Sequence, residues 1–276
     1  MASDTFQLHA RVFITGNIEV RTGLHIGGSD NAFSIGGVDN PVIKDQLTGQ
    51  PYIPGSSLRG KMRSWIEKAL GKVEGQHIGG QVTIHSCRKN LEAYPDCPIC
   101  NVFGITAEDV TGPTRLVVRD VTLTPESVDA LRRAKTDLPF TEIKTEVAID
   151  RVTSQANPRP LERVPAGAVF GPMELVYNIY EQKDIEWLEH VFWAMQLVED
   201  DYLGGAGSRG SGKIAFTNLS VELRRITQDP AEYMSPIPLV PEGQKSYATL
   251  GELIGIMPEV ITFVNENVHF GSNGIS

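Results

Sequence analysis

The chain has three cysteines, and all fall between residues 87 and 100. With His85 two positions ahead, they read His-x-Cys, nine residues, Cys-x-x-Cys. Thiolates and an imidazole at such spacings can close a tetrahedral zinc site, and Cys-x-x-Cys at a tight turn is the usual half-site. Pro95 and Pro98 favour such turns. The pattern predicts a structural zinc held by His85, Cys87, Cys97 and Cys100, with no open catalytic position. His77 is the substitute should His85 point away. The site would staple a glycine-containing insertion, 71–104, that has little apolar periodicity of its own. Three unrelated buried thiols are the bland alternative. A redox pair at Cys97 and Cys100 is another, but it lacks its βαβ context. An odd cysteine count argues against structural disulfides.

A second run with chemistry in it is Leu203-Gly204-Gly205-Ala206-Gly207-Ser208-Arg209-Gly210-Ser211-Gly212-Lys213. Gly205, Gly207 and Gly210 spell G-x-G-x-x-G. Gly207 through Lys213 spell G-x-x-x-x-G-K, but Ile214 stands where that loop needs a hydroxyl for magnesium. Both patterns require strand, loop, helix, so that a helix N-terminus faces phosphate. Here the order is reversed. Ile185, Leu188, Val191, Phe192 and Met195 predict a helix over 184–199 before the loop. Alternation through Leu219, Val221 and Leu223 predicts a strand after it. What remains is a backbone surface rich in N–H groups, with Arg209 and Lys213 beside it. Glycine lets such a surface lie close against a polyanion. A long surface turn is the alternative.

These residues must be carried by ordinary elements. Residues 6–20 alternate as an extended segment. Ser56 and Ser57 open a helix with a hydroxyl N-cap. Its buried face is Leu58, Met62, Trp65, Ile66, Ala69 and Leu70, and Gly71 is its C-terminal glycine. A strand is predicted over 115–123, a short helix over 125–134, a long polar hairpin or arm over 138–165, and a strand over 168–180. The order β-α-β, arm, β-α-β predicts an α+β, ferredoxin-like or RRM-like palm with large insertions. No K/R-G-F/Y-G/A-F run is present, so base stacking on the sheet in the RRM manner is not expected. The palm spans 1–227, with the zinc-type insertion at 71–104 and the arm at 138–165. A proline-rich change of character from Gln228 marks a C-terminal extension, 228–276. Its stretch 250–264 is apolar enough to pack on this domain or a neighbouring subunit, and 271–276 should be disordered.

The apolar content of 41% is that of a globular protein, and no run approaches a membrane span. The N-terminus lacks a secretory signal, which makes the cytoplasm the expected location. The net charge of −9 counts against a generally basic nucleic-acid binder. Arg59, Lys61, Arg63, Lys68 and Lys72 nevertheless cluster around a single opposing charge, Glu67, so a local basic groove is compatible with the acidic whole.

Five segments together resemble one family. They are Thr22-Gly23-Leu24-His25-Ile26-Gly27-Gly28-Ser29-Asp30, Gly36-Gly37-Val38-Asp39-Asn40-Pro41-Val42-Ile43-Lys44-Asp45, Ile53-Pro54-Gly55-Ser56-Ser57-Leu58-Arg59-Gly60-Lys61-Met62-Arg63, Ile149-Asp150-Arg151-Val152-Thr153 with Ala156-Asn157-Pro158-Arg159, and Asp201 through Gly210. In this order over 6–225 they resemble the RAMP-superfamily backbone subunit of type III CRISPR–Cas effector complexes. The resemblance implies a palm that stacks with further copies of itself into a filament along a CRISPR RNA, beside other effector subunits. It implies an arm that inserts between bases as a thumb. Phosphate and shape would be read, and pairing would choose the sequence. The implied RNA contacts are His25, Ser56, Ser57, Arg59, Lys61, Arg63, Arg151, Arg159, Gly205, Gly207, Ser208, Arg209 and Lys213. N-capping and a solvated face are the alternative for the helix side chains, and a structural role is the alternative for His25. The resemblance also implies cleavage of complementary target RNA with Mg2+ or another divalent cation, through one Asp after the first strand, which matches Asp39. That carboxylate would hold the cation or take the proton of the attacking 2′-hydroxyl. Asp-Asn-Pro is also turn chemistry, and Asp30 is a weaker match. A non-cutting structural subunit, a stand-alone ribonuclease that processes CRISPR RNA and a nucleotide-binding enzyme are the rival readings.

Overall fold

The computed structural model describes residues 6–28, 40–73, 76–77, 83–105, 112–239 and 246–270, with the backbone alone at 76, 77 and 89. Asp30, Asp39 and the tail 271–276 lie outside the described residues. In chain order the elements are β1 (Ala10–Val20), β2 (Tyr52–Ile53), α1 (Gly55–Ala69), β3 (Gln76–His77), β4 (Thr83–Ile84), α2 (Pro98–Phe103), β5 (Leu116–Val118), β6 (Val121–Thr122), α3 (Pro125–Arg133), β7 (Glu142–Ile149), β8 (Ala156–Arg163), β9 (Val169–Ile179), α4 (Gln182–Asp200), β10 (Ile214–Arg225), α5 (Pro230–Tyr233), β11 (Ile237–Pro238), β12 (Tyr247–Thr249), α6 (Leu250–Gly255) and α7 (Met257–Asn267).

An antiparallel sheet carries the molecule. Its order is β11-β10-β1-β9-β5, with β12 also on β10. β1 is central because it alternates fully. Ala10, Val12, Ile14, Ile18 and Val20 are completely buried, while the residues between them reach the opposite face. Both of its ladders shift register around Gly16. A Cβ there would sit 2.7 Å from Leu219 and 3.0 Å from the Thr217 carbonyl, which leaves room only for glycine. α1 and α4 pack on each other and on the sheet, burying Leu58, Met62 and Ile66 from one and Ile185, Leu188, Val191, Phe192 and Met195 from the other.

The start of α1 differs from the sequence expectation. Its N-cap residue is Pro54, not a serine, and the Gly55 N–H donates to Asp120 Oδ1 at 2.7 Å. Gly55 is pressed so closely on β5 that a Cβ would lie 2.1 Å from the Val118 carbonyl. That contact begins the helix ahead of the serines. Its end follows expectation. Gly71 is left-handed, its N–H reaches the Lys68 carbonyl, and Lys72 N–H reaches the Glu67 carbonyl at 2.8 Å, a Schellman close.

The single strand expected over 115–123 is two. Leu116–Val118 pairs with β9, while Val121–Thr122 pairs with Tyr52–Ile53. The chain turns between them, where Asp120 reaches back to the start of α1. Beside this break a buried ion pair, invisible in the sequence, ties sheet to helix. Arg115, 1% exposed, donates to Asp184 Oδ1 at 2.8 Å and Glu181 at 2.9 Å. Asp184 is also the N3 residue of the α4 capping box.

The C-terminal segment continues the same sheet through β11 and β12, and α7 packs on α4. Leu250, Leu253, Val260 and Val264 are buried in the common core. Among the described residues no helix is long and apolar enough to cross a membrane.

Candidate nucleic-acid interface and metal centre

The metal centre is built where an irregular segment meets α1. Ser86 caps the short turn that carries Cys87 by accepting the Arg88 N–H. Cys97 is the N-cap residue of α2, and Pro98 presets its first turn, which brings Cys97 and Cys100 to one end. The ligand atoms of His85, Cys87, Cys97 and Cys100 all lie within 4.8 Å of one another. His85 Nε2 is 3.2 Å from Cys97 Sγ and 3.6 Å from Cys87 Sγ. All three sulfurs belong to buried residues. The Cys97 thiol is pulled down to about 4, first by a hydrogen bond from Cys100 and, against burial, by further donors that include His85. The same bond keeps the proton on Cys100 and pushes that thiol up, with burial acting in the same direction. Burial and the neighbouring Cys97 also push Cys87 up. A group of soft donors of this kind, crowded and out of water, fits a cation that accepts thiolates. His77 is described in backbone only.

Two of the basic residues of α1 are spent on this segment. Arg63 donates to the His85 carbonyl at 2.6 Å, to the Gly104 carbonyl at 2.8 Å and to Glu67 at 2.7 Å. Arg59 donates to the Phe103 carbonyl. Lys61 pairs with Asp201 at 2.8 Å and lies 3.5 Å from the centre of the Tyr202 ring. Ser56 is exposed and Ser57 half-buried. Of these five positions, Arg59 and Arg63 are tied to the 83–105 segment, and Lys61 is held by Asp201 and Tyr202.

The glycine run joins the end of α4 to β10, so no helix N-terminus follows it. It is laid against residues 22–28. Gly205 N–H donates to the His25 carbonyl at 2.7 Å, and Gly212 N–H to the Gly23 carbonyl at 3.0 Å. Gly204 and Gly212 are left-handed, and a Cβ on either would come within 2.2 Å of a backbone oxygen. A Cβ on Gly207 would enter the Tyr202 ring. Ser208, Arg209 and Gly210 form the exposed crest. Lys213 is turned away from it, since its Nζ donates to the Glu199 carbonyl at the end of α4. A cation at a helix C-terminus is favourable.

The arm is a two-stranded hairpin of β7 and β8, paired from Glu142↔Arg163 to Ile149↔Ala156. Its distal half leaves the body. Val147, Ile149 and Val152 are 53%, 55% and 92% exposed. Asp150 closes the tip by accepting the Val152 and Thr153 N–H groups, with Arg151 exposed beside it. At its base the arm meets the glycine crest, where Arg209 pairs with Glu146 at 2.5 Å and Lys144 donates to the Arg209 carbonyl. Asn40, Glu146, Val147, Ala148, Arg159, Pro160, Leu161 and Arg209 line a cleft of about 330 Å³ there.

Behind this cleft lies a buried group that the sequence reading missed. Glu162, 2% exposed, accepts from the Val42 N–H at 2.9 Å, Lys44 Nζ at 2.6 Å and Thr141 Oγ1 at 2.5 Å. Its carbonyl lies 2.7 Å from His25 Nδ1. That acceptor fixes a proton on Nδ1 and leaves Nε2 as the ring nitrogen able to accept, 3.6 Å from where a Cβ on Gly27 would stand. Nothing in the run Pro160-Leu161-Glu162-Arg163 marks the glutamate as buried. Only the crossing of distant segments does so.

Part of the far face of the sheet carries the chain itself, where α5 meets β10. Arg224 stacks 4.5 Å from the Phe13 ring centre and 5.9 Å from that of Tyr233, and Tyr233 accepts from Arg11 at 3.1 Å. Phe13, half-buried on that face, is stacked against Arg224.

Known proteins resemble this chain over most of its length. The RAMP superfamily model matches residues 17–215. A protein of Methanothermobacter thermautotrophicus named CRISPR system Cms endoribonuclease Csm3 is 40% identical over 252 residues, covering 87% of this chain and 92% of that protein. The protein of the same name from Mycobacterium tuberculosis is 40% identical over 225 residues, covering 76% and 88%. Among solved structures, the crystal structure of the Csm3–Csm4 subcomplex in the type III-A CRISPR–Cas interference complex superposes with a TM-score of 0.56 at 27% identity, covering 96% of this chain and all of that one. Methanopyrus kandleri Csm3 shares the fold, with a TM-score of 0.62 at 21% identity and coverage of 96% and 100%. The chain belongs to the RAMP superfamily, among the Csm3 proteins.

Proposed function

We propose that this chain is the repeated backbone subunit of a type III CRISPR RNA-guided effector complex, in which it binds CRISPR RNA, stacks along it in copies and cuts complementary target RNA. The observation that carries this reading is the cleft at the arm base. There the glycine crest with Arg209, the arm with Arg159 and the residue after Asp39 in the chain come together. The palm is ferredoxin-like on this reading. The strand order β10-β1-β9-β5, with α1 and α4 connecting its strands, supports that assignment.

Each part has a physical task. The crest brings backbone close to RNA with little side chain between them, and Arg209 adds charge. The Nε2 of His25 would accept from a 2′-hydroxyl. The exposed Val147, Ile149 and Val152 put apolar surface on the arm, which can wedge between unstacked bases. Asp39 would act on the backbone at the nucleotide the arm displaces. A divalent cation held by that carboxylate would neutralise charge developing on the phosphate. His85, Cys87, Cys97 and Cys100 would hold a structural zinc, which needs no open position and anchors the insertion to α1 through Arg63.

The test is cleavage by the assembled complex with a defined CRISPR RNA, labelled complementary RNA and magnesium, comparing wild type with Asp39→Ala. A regularly spaced product ladder that the variant loses, with target still bound, is the expected outcome. Unchanged cutting by Asp39→Ala would sink the assignment. No ladder from wild type would favour the non-cutting structural subunit.

A further inference from the structure

Glu162 joins four segments that are far apart in sequence. Its carboxylate takes donors from the 41–44 segment and from Thr141 at the entry to the arm, while Glu162 itself sits in the returning strand β8. Its carbonyl meets His25, whose own carbonyl takes the Gly205 N–H of the glycine run. Val42, one of the donors, lies three positions after Asp39 in the chain. A carboxylate this buried costs desolvation, and a well-packed apolar residue could fill the space with equal stability. What an apolar residue could not do is hold three donors from two separate segments in one geometry. Glu162 also cannot serve RNA directly, because it is negative and closed off from solvent.

We propose that Glu162 is a positioning residue for target cutting. By gripping Val42, Lys44 and Thr141 at once, it fixes the arm against the 41–44 segment, so that RNA displaced by the arm is presented in one register. This rests on the reading of the chain as the target-cutting subunit. A small misplacement of reacting groups costs rate without costing affinity, up to about 10²-fold for 1 Å.

The experiment uses the whole complex with CRISPR RNA, comparing wild type, Glu162→Gln and Asp39→Ala. A carboxamide can satisfy the donors on one oxygen only, since its NH2 faces the others. Glu162→Gln should bind target as wild type does, cut it about 10- to 100-fold more slowly at saturating target, and spread the products over neighbouring positions. Wild-type rate and register in Glu162→Gln would overturn the proposal, and so would parallel losses of binding and cutting. If Glu162→Gln does not assemble, Thr141→Val removes one donor and keeps the charge. Slower cutting with unchanged binding then supports the proposal, and wild-type cutting overturns it. Cutting by Asp39→Ala would bring down the underlying reading instead, whatever Glu162 does.

Discussion

The ligands of the metal centre lie between residues 85 and 100, whereas the arm junction draws Gly23, His25, Val42, Thr141, Glu162, Gly205 and Gly212 from most of the chain. The first region is short-range and rests on one ligand set. The second is long-range and rests on many ordinary hydrogen bonds. Spacing alone can build the former. The latter exists only after the sheet has formed and brought the segments together. Loss of the ligand set should therefore be local and large, and damage to the junction should be graded.

The largest expected effect is removal of the metal. Elemental analysis should find about one zinc per chain. Chelation, or Cys97→Ser, should release hydrogen exchange across 83–105 and at the Arg63 contacts, while the arm junction keeps its protection. Structural zinc contributes on the order of 10 kcal/mol to isolated fingers. Here α1 retains part of the segment, so the sheet should survive. Unchanged exchange over 83–105 after chelation would break the comparison, because the segment would then be holding itself.

Next come the glycines of the junction. Gly204 has φ +78° and Gly212 φ +86°, and each would bring a Cβ to 2.2 Å from a backbone oxygen. Alanine at either should cost about 1–3 kcal/mol and weaken RNA binding with it. Gly210 is the control. Its φ is +85° with nothing within 4 Å of the added atom, so it carries the backbone strain alone. Urea midpoints of the three variants give the order. Equal losses at all three positions would mean that close packing against His25 at Gly204 and against Leu203 at Gly212 contributes nothing.

Much of this was legible before any coordinates. The zinc-type spacing, the arm, the reversed order around the glycine run and the Gly71 helix end are local patterns, and local chemistry decides them. What was not legible depends on contacts between distant segments. Nothing near Ser56 shows that Gly55 is pinned by Val118, and nothing near 115–123 shows that Asp120 turns to cap another helix. The Arg115–Asp184 pair spans 69 positions and the Lys44–Glu162 pair 118, and each reads in sequence as an ordinary surface charge. Arg59, Arg63 and Lys213 looked free for phosphate, but their guanidinium and ammonium groups are taken up by carbonyls.

The smallest effect is the pH dependence of the junction. Burial pushes the Glu162 carboxyl up, yet hydrogen bonds from Lys44, Thr141 and the Val42 N–H outweigh it and hold the group below its ordinary value. In the unfolded chain a glutamate ionises near about 4.3. With the folded value lower, the unfolded state binds the proton first as the solution is acidified. The contribution is therefore complete above that range and is lost as pH falls through the folded value. Glu162→Gln carries no such charge at any pH. The stability gap between wild type and Glu162→Gln should be flat from pH 7 to about 5 and narrow below that, as read from urea midpoints at each pH. A gap that holds constant into acid would assign the junction to shape and hydrogen bonding alone, and remove ionic character from the contrast with the metal centre.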